Sequence, residues 1–451
     1  MKPLLIRTSP DDLVAPAREP FDGQTLADAR AIVDGVREGG ESTLRAQADR
    51  ADAPLVFDAD ALEAGLQRLP SEVRAVLERT ARRIESFARD QRAAFGPLDA
   101  TIAGGRGGHR LLPVGTAGCY VESAGTPRPS AVLMTVIPAR VARVGRVWVA
   151  CDDVSDLTLA AAALAGADGL LALGGPGAIA ALATGVRLAD GVELPRCDLV
   201  VGAGGPLVSA AKYIVSTTTA IDSLTGVREL VLVADRSADP VLVASDLLAH
   251  GDGGIDAAVT LVTHDAEFID AVERALAIQL DELPVSDPAA SAVRLQGRAV
   301  LVGRLDAAVA VCDMLAPEHL CLHGQAAEDL ATDFTAFGAM SLGATSPRAL
   351  IDHGAGPNPV LPTGGAARYA SGLSVLTFMR VATWLRMHPG RGLDEVVGDA
   401  AALARIEGRE GHVRALERRA VGDAAHDGPR PQLQPEARPE RARTTTAVAD
   451  S

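Results

Sequence analysis

Between Gly118 and Val262 the chain alternates short apolar runs with longer helical patterns, and this alternation is the tightest constraint on its fold. The runs at 147–150, 170–173, 199–201, 230–233 and 259–262 are apolar at both odd and even positions. Such a strand is buried on both faces, as happens when helices cover both sides of a parallel sheet. Helical patterns at 130–144, 157–165, 178–182 and 207–213 fall between the runs. The expected fold is α/β: two doubly wound, Rossmann-like parallel-sheet domains with helical N- and C-terminal arms.

The flanks set the expected boundaries. Residues 24–95 read as helical, with Ser71 as cap of a helix carrying Val73, Val76, Leu77, Ala81, Ile84 and Phe87 at helical spacing. Residues 100–120 read as irregular or β, and 266–282, 307–315, 374–385 and 393–419 as helices. This predicts an arm plus the start of the first domain over 1–110, one α/β domain over 111–240 and a second over 241–375. A helical dimerisation segment follows over 376–421. From 422 onward prolines and threonines dominate with almost no large apolar residue, the composition of a disordered tail.

Composition narrows the partners and the compartment. A net charge of -15 over 451 residues argues against nucleic acid or an anionic membrane as a general partner. No apolar run reaches the ~20 residues of a membrane span. The N-terminus shows no secretory pattern. Cys119, Cys151, Cys197, Cys312 and Cys321 are scattered without a close pair, which suggests buried thiols in a reducing cytoplasm.

Two features carry chemistry. Glu318 and His319 stand side by side in Ala316-Pro317-Glu318-His319-Leu320, just past an apolar helical run. On a turn they could reach one substrate, the carboxylate activating water and the imidazole moving protons near neutral pH. The second feature is a pair of glycine turns after strands, Gly174-Gly175-Pro176-Gly177 and Gly202-Ala203-Gly204-Gly205. Turns of this kind let backbone N–H groups at a helix start approach a phosphate, although neither has the full dinucleotide spacing.

Ordered segments over about three hundred residues resemble the histidinol dehydrogenase family. They run from Gly118-Cys119-Tyr120-Val121 and Pro129-Ser130-Ala131-Val132-Leu133-Met134 through Ala210-Ala211-Lys212 and Ile221-Asp222. Ala244-Ser245-Asp246-Leu247-Leu248, Pro317-Glu318-His319, Val360-Leu361-Pro362-Thr363 and Glu407-Gly408 to His412 complete them. The resemblance implies a homodimeric oxidoreductase with a small-molecule substrate, NAD or NADP as cofactor and zinc as metal. It assigns the acid–base pair to Glu318 and His319. It sets the cofactor beside Tyr120, Gly177 and Gly205, and the substrate beside Arg228, Asn358 and Glu407. The metal ligands it implies are His250, Asp352 and the partner subunit's His412.

Several matched positions differ in kind. A family Gln and Asn near the cofactor are Gly177 and Gly205, and a Pro-Gly-Gly is Glu122-Ser123-Ala124. A metal-binding Gln is His250 and a metal-binding His is Gly253, with Asp252 adjacent as a substitute. A substrate-side Ser is Arg228 and a substrate-facing His is Pro359. A guanidinium matches carboxylate, sulfonate or phosphonate oxygens, so these exchanges point to a small polar alcohol with an anionic group rather than L-histidinol. The alternative is a non-redox member that uses Glu318 and His319 for acid–base chemistry or serves as a binding subunit.

Overall fold

Helices on both faces of two six-stranded sheets account for most of the chain. The computed structural model describes residues 3–15, 19–48, 53–123, 125–189, 191–284 and 287–420. The expected tail from 422 and Ala124 lie outside these. The described residues fall into two compact units: one within Met1–Pro97 and Arg110–Ala382, the other within Leu98–His109 and Thr383–Ser451.

The first unit holds both large sheets. The upstream sheet runs in the order Ala220–Ile221, Leu199–Val201, Thr116–Tyr120, Arg146–Ala150, Gly169–Leu171, Val56–Asp58. Its pairs are parallel except the last, where Val56–Asp58 lies antiparallel on Gly169–Leu171. Ala117, Cys119, Val147 and Val149 feed one core, whereas Tyr120, Trp148, Ala150 and Val200 feed the opposite one. Period-two alternation with apolar residues on both faces is the expected signature of a doubly covered strand.

The downstream sheet runs Ile6–Thr8, Arg298–Leu301, Ala258–Thr263, Glu229–Ala234, His319–His323, Ala339–Leu342, parallel throughout. Leu230, Leu232 and Leu261 pack on one face, Val231, Val233 and Val262 on the other. All five cysteines are buried free thiols.

Several expectations change here. The strand Glu229–Ala234 pairs in the downstream sheet, so the sheets divide before residue 229 rather than at 240. The N-terminal region gives an edge strand to each sheet, Ile6–Thr8 and Val56–Asp58, and is not helical throughout 24–95. Pro70, not Ser71, holds the cap position of helix Ser71–Ala93. The expected helix over 374–385 is a short turn, Val375–Phe378, followed by the strand Met379–Met387. That strand neighbours Gly105–Pro113 in a three-stranded sheet, a long-range pairing that overrides the local helical spacing.

In the second unit, Leu98–Ile102 pairs back on the following strand, with Leu98 opposite His109. The expected helix over 393–419 is two helices, Arg391–Ile406 and Glu410–Ala420. Gly408, at φ +70°, breaks them, since the left-handed region is open to glycine and ends a helix.

Candidate active site

The downstream sheet gathers charged groups at the amino ends of its central strands. Leu230 pairs with His319, so Glu229 and Glu318 stand side by side at the entry to neighbouring strands. Helix Ala307–Leu315 ends at Ala316 in the left-handed conformation, φ 47°, and Pro317 then leads into the strand. Glu318 and His319 are therefore a buried strand entry, 4% and 1% exposed, not a solvated turn. His319 Nε2 lies 3.7 Å from Glu318 Oε1, and the Glu229 backbone N–H donates to Glu318 Oε2 at 3.2 Å.

Helix Pro240–Gly251 returns along the sheet and delivers His250 to the same edge. Its ring meets His319 edge-on, with centroids 6.1 Å apart. Neither His250 nitrogen has a hydrogen-bond partner, although the Arg228 carbonyl lies near the ring. His319 Nε2 is likewise without a hydrogen-bond partner.

Two arginines complete the cluster. Arg228 Nε stands 3.5 Å from Glu318 Oε1, and its Nη2 3.8 Å from Asp352 Oδ1. Arg348 is 3% exposed and donates from Nη2 to Asp352 Oδ2 at 2.6 Å, while its Nε and Nη1 have no hydrogen-bond partner.

These charges set the protonation states. Burial holds the His250 and His319 imidazoles well below their usual range, and Arg348 and Arg228 add to the effect. Both rings are held in the neutral form. Burial raises the Glu318 carboxyl, partly offset by Arg228 and Arg348. Burial, and then Glu318, push Glu229 up to about 7.

Zinc, which the family resemblance implies, meets an unsuitable donor set. Gly253 has no side chain, and a Cβ placed there would lie 2.6 Å from Arg228 Cδ and 3.2 Å from its Nη1. The space of the missing ligand is thus filled by the arginine. Asp352 Oδ2 is hydrogen-bonded to Arg348, its Oδ1 stands 3.8 Å from the Arg228 guanidinium, and Asp252 is exposed. No group of three or more His, Cys, Asp or Glu with metal-binding geometry occurs among the described residues. His412 lies exposed in helix Glu410–Ala420 of the other unit, so the expected set of His250, Asp352 and His412 is not gathered within one unit.

The glycine turns lie at the opposite kind of edge, the carboxyl ends of the upstream strands. Tyr120 ends its strand buried, and its hydroxyl accepts from the Gly175 N–H at 3.1 Å. Gly205 caps helix Pro206–Val215 and donates to Glu122 Oε1 at 3.3 Å. Gly202 donates to Asp222 Oδ2 at 2.8 Å, and Lys212 pairs with Asp222 while donating to the Gly202 carbonyl at 2.8 Å. A side chain at Gly177 would collide with Gln47 Oε1, so a carboxamide from helix Glu41–Gln47 fills the space over this turn.

Asn358, expected on the substrate side, ties its loop to helix Pro129–Val141: Nδ2 donates to the Met134 carbonyl at 2.6 Å and Oδ1 accepts from Val360 N–H at 3.0 Å. Glu407 is exposed in the second unit, beside Gly408. Sequence patterns do not point to Arg348, Glu229 or Gln47. For Arg348 no local signal exists; for Gln47 the bare Gly177 is the available hint.

Glycine-lined helix starts on one sheet and a buried acid–imidazole cluster on another belong to a doubly wound α/β protein. The sequence model of the histidinol dehydrogenase family matches residues 17–420. Histidinol dehydrogenase from Thermus thermophilus is 38% identical over 402 residues, 88% of this chain and 95% of the relative. The one from Parasynechococcus marenigrum is 36% identical over 400 residues, 86% and 89% of the two chains. The crystal structure of histidinol dehydrogenase from Elizabethkingia anophelis superposes with a TM-score of 0.84 at 25% identity, covering 93% of this chain and 98% of that one. The chain belongs to the histidinol dehydrogenase family, a family of oxidoreductases.

Proposed function

We propose that this chain is an NAD(P)-dependent dehydrogenase that oxidises a small polar alcohol carrying an anionic group. The observation that carries the reading is the buried Glu318–His319 pair facing two guanidiniums, Arg228 and Arg348. NAD(P), when bound, accepts the hydride. The Tyr120 hydroxyl, the Gly177 and Gly205 turns and the Gln47 carboxamide suit its polar groups, and Glu122 suits a ribose hydroxyl.

His319 takes the alcohol proton at Nε2, which is neutral and without another partner. Glu318 activates water on the aldehyde, and the hydrate would pass its hydride to a second NAD(P) to give the carboxylate. Arg228 holds the anionic group by a charge-assisted contact worth roughly 1.5–3 kcal/mol. An anion seated there also screens the arginines that depress His319, and so raises its basicity when substrate is present.

The relatives' name favours L-histidinol, and Arg228 and Pro359 favour an anionic alcohol instead. NAD(P)H formation from histidinol and from anionic alcohols, in wild type and in Arg228→Ser, decides between them. Preference for anionic alcohols, lost by about 10-fold or more in Arg228→Ser, is expected. Efficient histidinol oxidation by the wild type with no response to anionic alcohols overturns the substrate class.

Exposed Val396, Leu403 and Ile406 on helix Arg391–Ile406 support burial against a second copy, with the partner subunit's His412 brought to the substrate. A non-redox reading has one specific support: the turn N–H groups of Gly175, Gly202 and Gly205 already have protein partners. Failure to bind NAD(H) or NADP(H) in a calorimetric titration would favour it.

A further inference from the structure

The exchange of Gly253 and Arg228 concerns two positions 25 residues apart that share one space. A bare backbone at 253 leaves room, and the Arg228 stem fills it. From there the guanidinium reaches both Glu318 and Asp352. Arg348 reaches Asp352 from the other side, at 2.6 Å. A dication placed at Asp352 would meet two fixed positive charges within a few ångströms, in a buried setting where such repulsion is weakly screened. Asp352 gives Oδ2 to Arg348 in a hydrogen bond, and its Oδ1, though without a hydrogen-bond partner, has the Arg228 guanidinium 3.8 Å away.

The cluster also holds donors with nothing to bind. Arg348 is 3% exposed, with Nε and Nη1 unpartnered, and His250 is fully buried with both nitrogens unpartnered. Leaving such groups unmade is costly, and more so when they are charged. An anionic oxygen answers the unpartnered guanidinium N–H groups of Arg348 and the single N–H of a neutral His250 ring, with Arg228 as a further donor.

We propose that Arg228 and Arg348 together take the place of the metal ion, so that this chain works without zinc and binds its ligand's anionic oxygens through the two guanidiniums. Absence of zinc does not depend on the dehydrogenase reading, because metal content is measured without turnover. The anion half deepens that reading by adding Arg348 to the substrate's binding groups.

Protein purified without chelators is analysed for metal and titrated with zinc by calorimetry. Essentially no zinc and no saturable binding are expected; about one zinc per subunit overturns the proposal. The double variant Arg228→Ser/Gly253→His, which restores the family's residues, should gain one zinc per subunit. If it stays folded by circular dichroism and remains zinc-free, Arg228 is not the group that excludes the metal, and the assignment fails. Should the double variant not fold, titration of the wild type with inorganic sulfate still decides the anion half. Binding is expected, weakened about 10-fold in Arg348→Met. No sulfate binding to the wild type, or equal binding by the variant, overturns it.

Discussion

The carboxyl edge of the upstream sheet and the amino edge of the downstream sheet are both polar, and they treat their polar groups in opposite ways. Upstream, the turn groups close on one another. The Gly202 N–H goes to Asp222, its carbonyl to Lys212, and Lys212 pairs with Asp222. Gly175 goes to Tyr120 and Gly205 to Glu122. Downstream, His250, His319, Arg348, Asp352 and Glu229 each keep a buried polar atom without a hydrogen-bond partner. A satisfied polar network stabilises the fold, whereas an unsatisfied one holds free energy that a ligand recovers. The contrast separates an edge whose polar groups are satisfied within the fold from the edge proposed to react.

The sharpest way to break this contrast is to remove one polar side chain from each edge. Lys212 has a fully buried side chain, and Asp222 is only 5% exposed. Asp222→Ala strands a buried ammonium and should lower stability by about 3–5 kcal/mol, read as the denaturant midpoint. An unchanged midpoint would mean that the upstream edge is not held by this pair. His319→Ala should do the reverse: turnover falls by ~10²-fold or more. Its stability should move by less than about 1 kcal/mol, because the lost packing is offset by removal of an unpartnered buried imidazole. A His319→Ala protein with near wild-type turnover would take the proton-transfer role from this residue.

The two edges are unequally legible in the sequence. The strands can be read because apolar residues at both parities leave no solvent face, as in Val231, Leu232 and Val233. Glu318 and His319 are legible because they are adjacent in the chain. Arg348 is not, because it meets Arg228 only through Asp352, more than a hundred residues from Arg228 in sequence. The metal set is obscured for a related reason: Gly253 shows as a lost ligand, but that Arg228 fills its space is a fact of packing. The strand Met379–Met387 is hidden likewise, since its partner strand Gly105–Pro113 lies far upstream. Local patterns report burial; they do not report which distant residue supplies it.

The smallest expected effect tests the unsatisfied edge through pH. Glu229 Oε1 accepts from the Gly364 N–H at 3.2 Å, while Oε2 is buried without a hydrogen-bond partner. Burial and the neighbouring Glu318 push its carboxyl up to about 7, from an ordinary value of 4.5. Between those two values the folded chain keeps a proton that the unfolded chain has released. Stability must therefore fall as pH rises through this window and level off above it, the reverse of a salt-bridged carboxylate. The change is on the order of 1 kcal/mol once partial solvent access is allowed for. Other groups titrate in the same window, so the quantity to measure is the difference between wild type and Glu229→Gln at each pH. That difference should shift in favour of the glutamine variant between about pH 4.5 and 7. A pH-independent difference would show that Glu229 is ionised in the fold, and that the downstream edge carries one more negative charge against its two arginines than proposed.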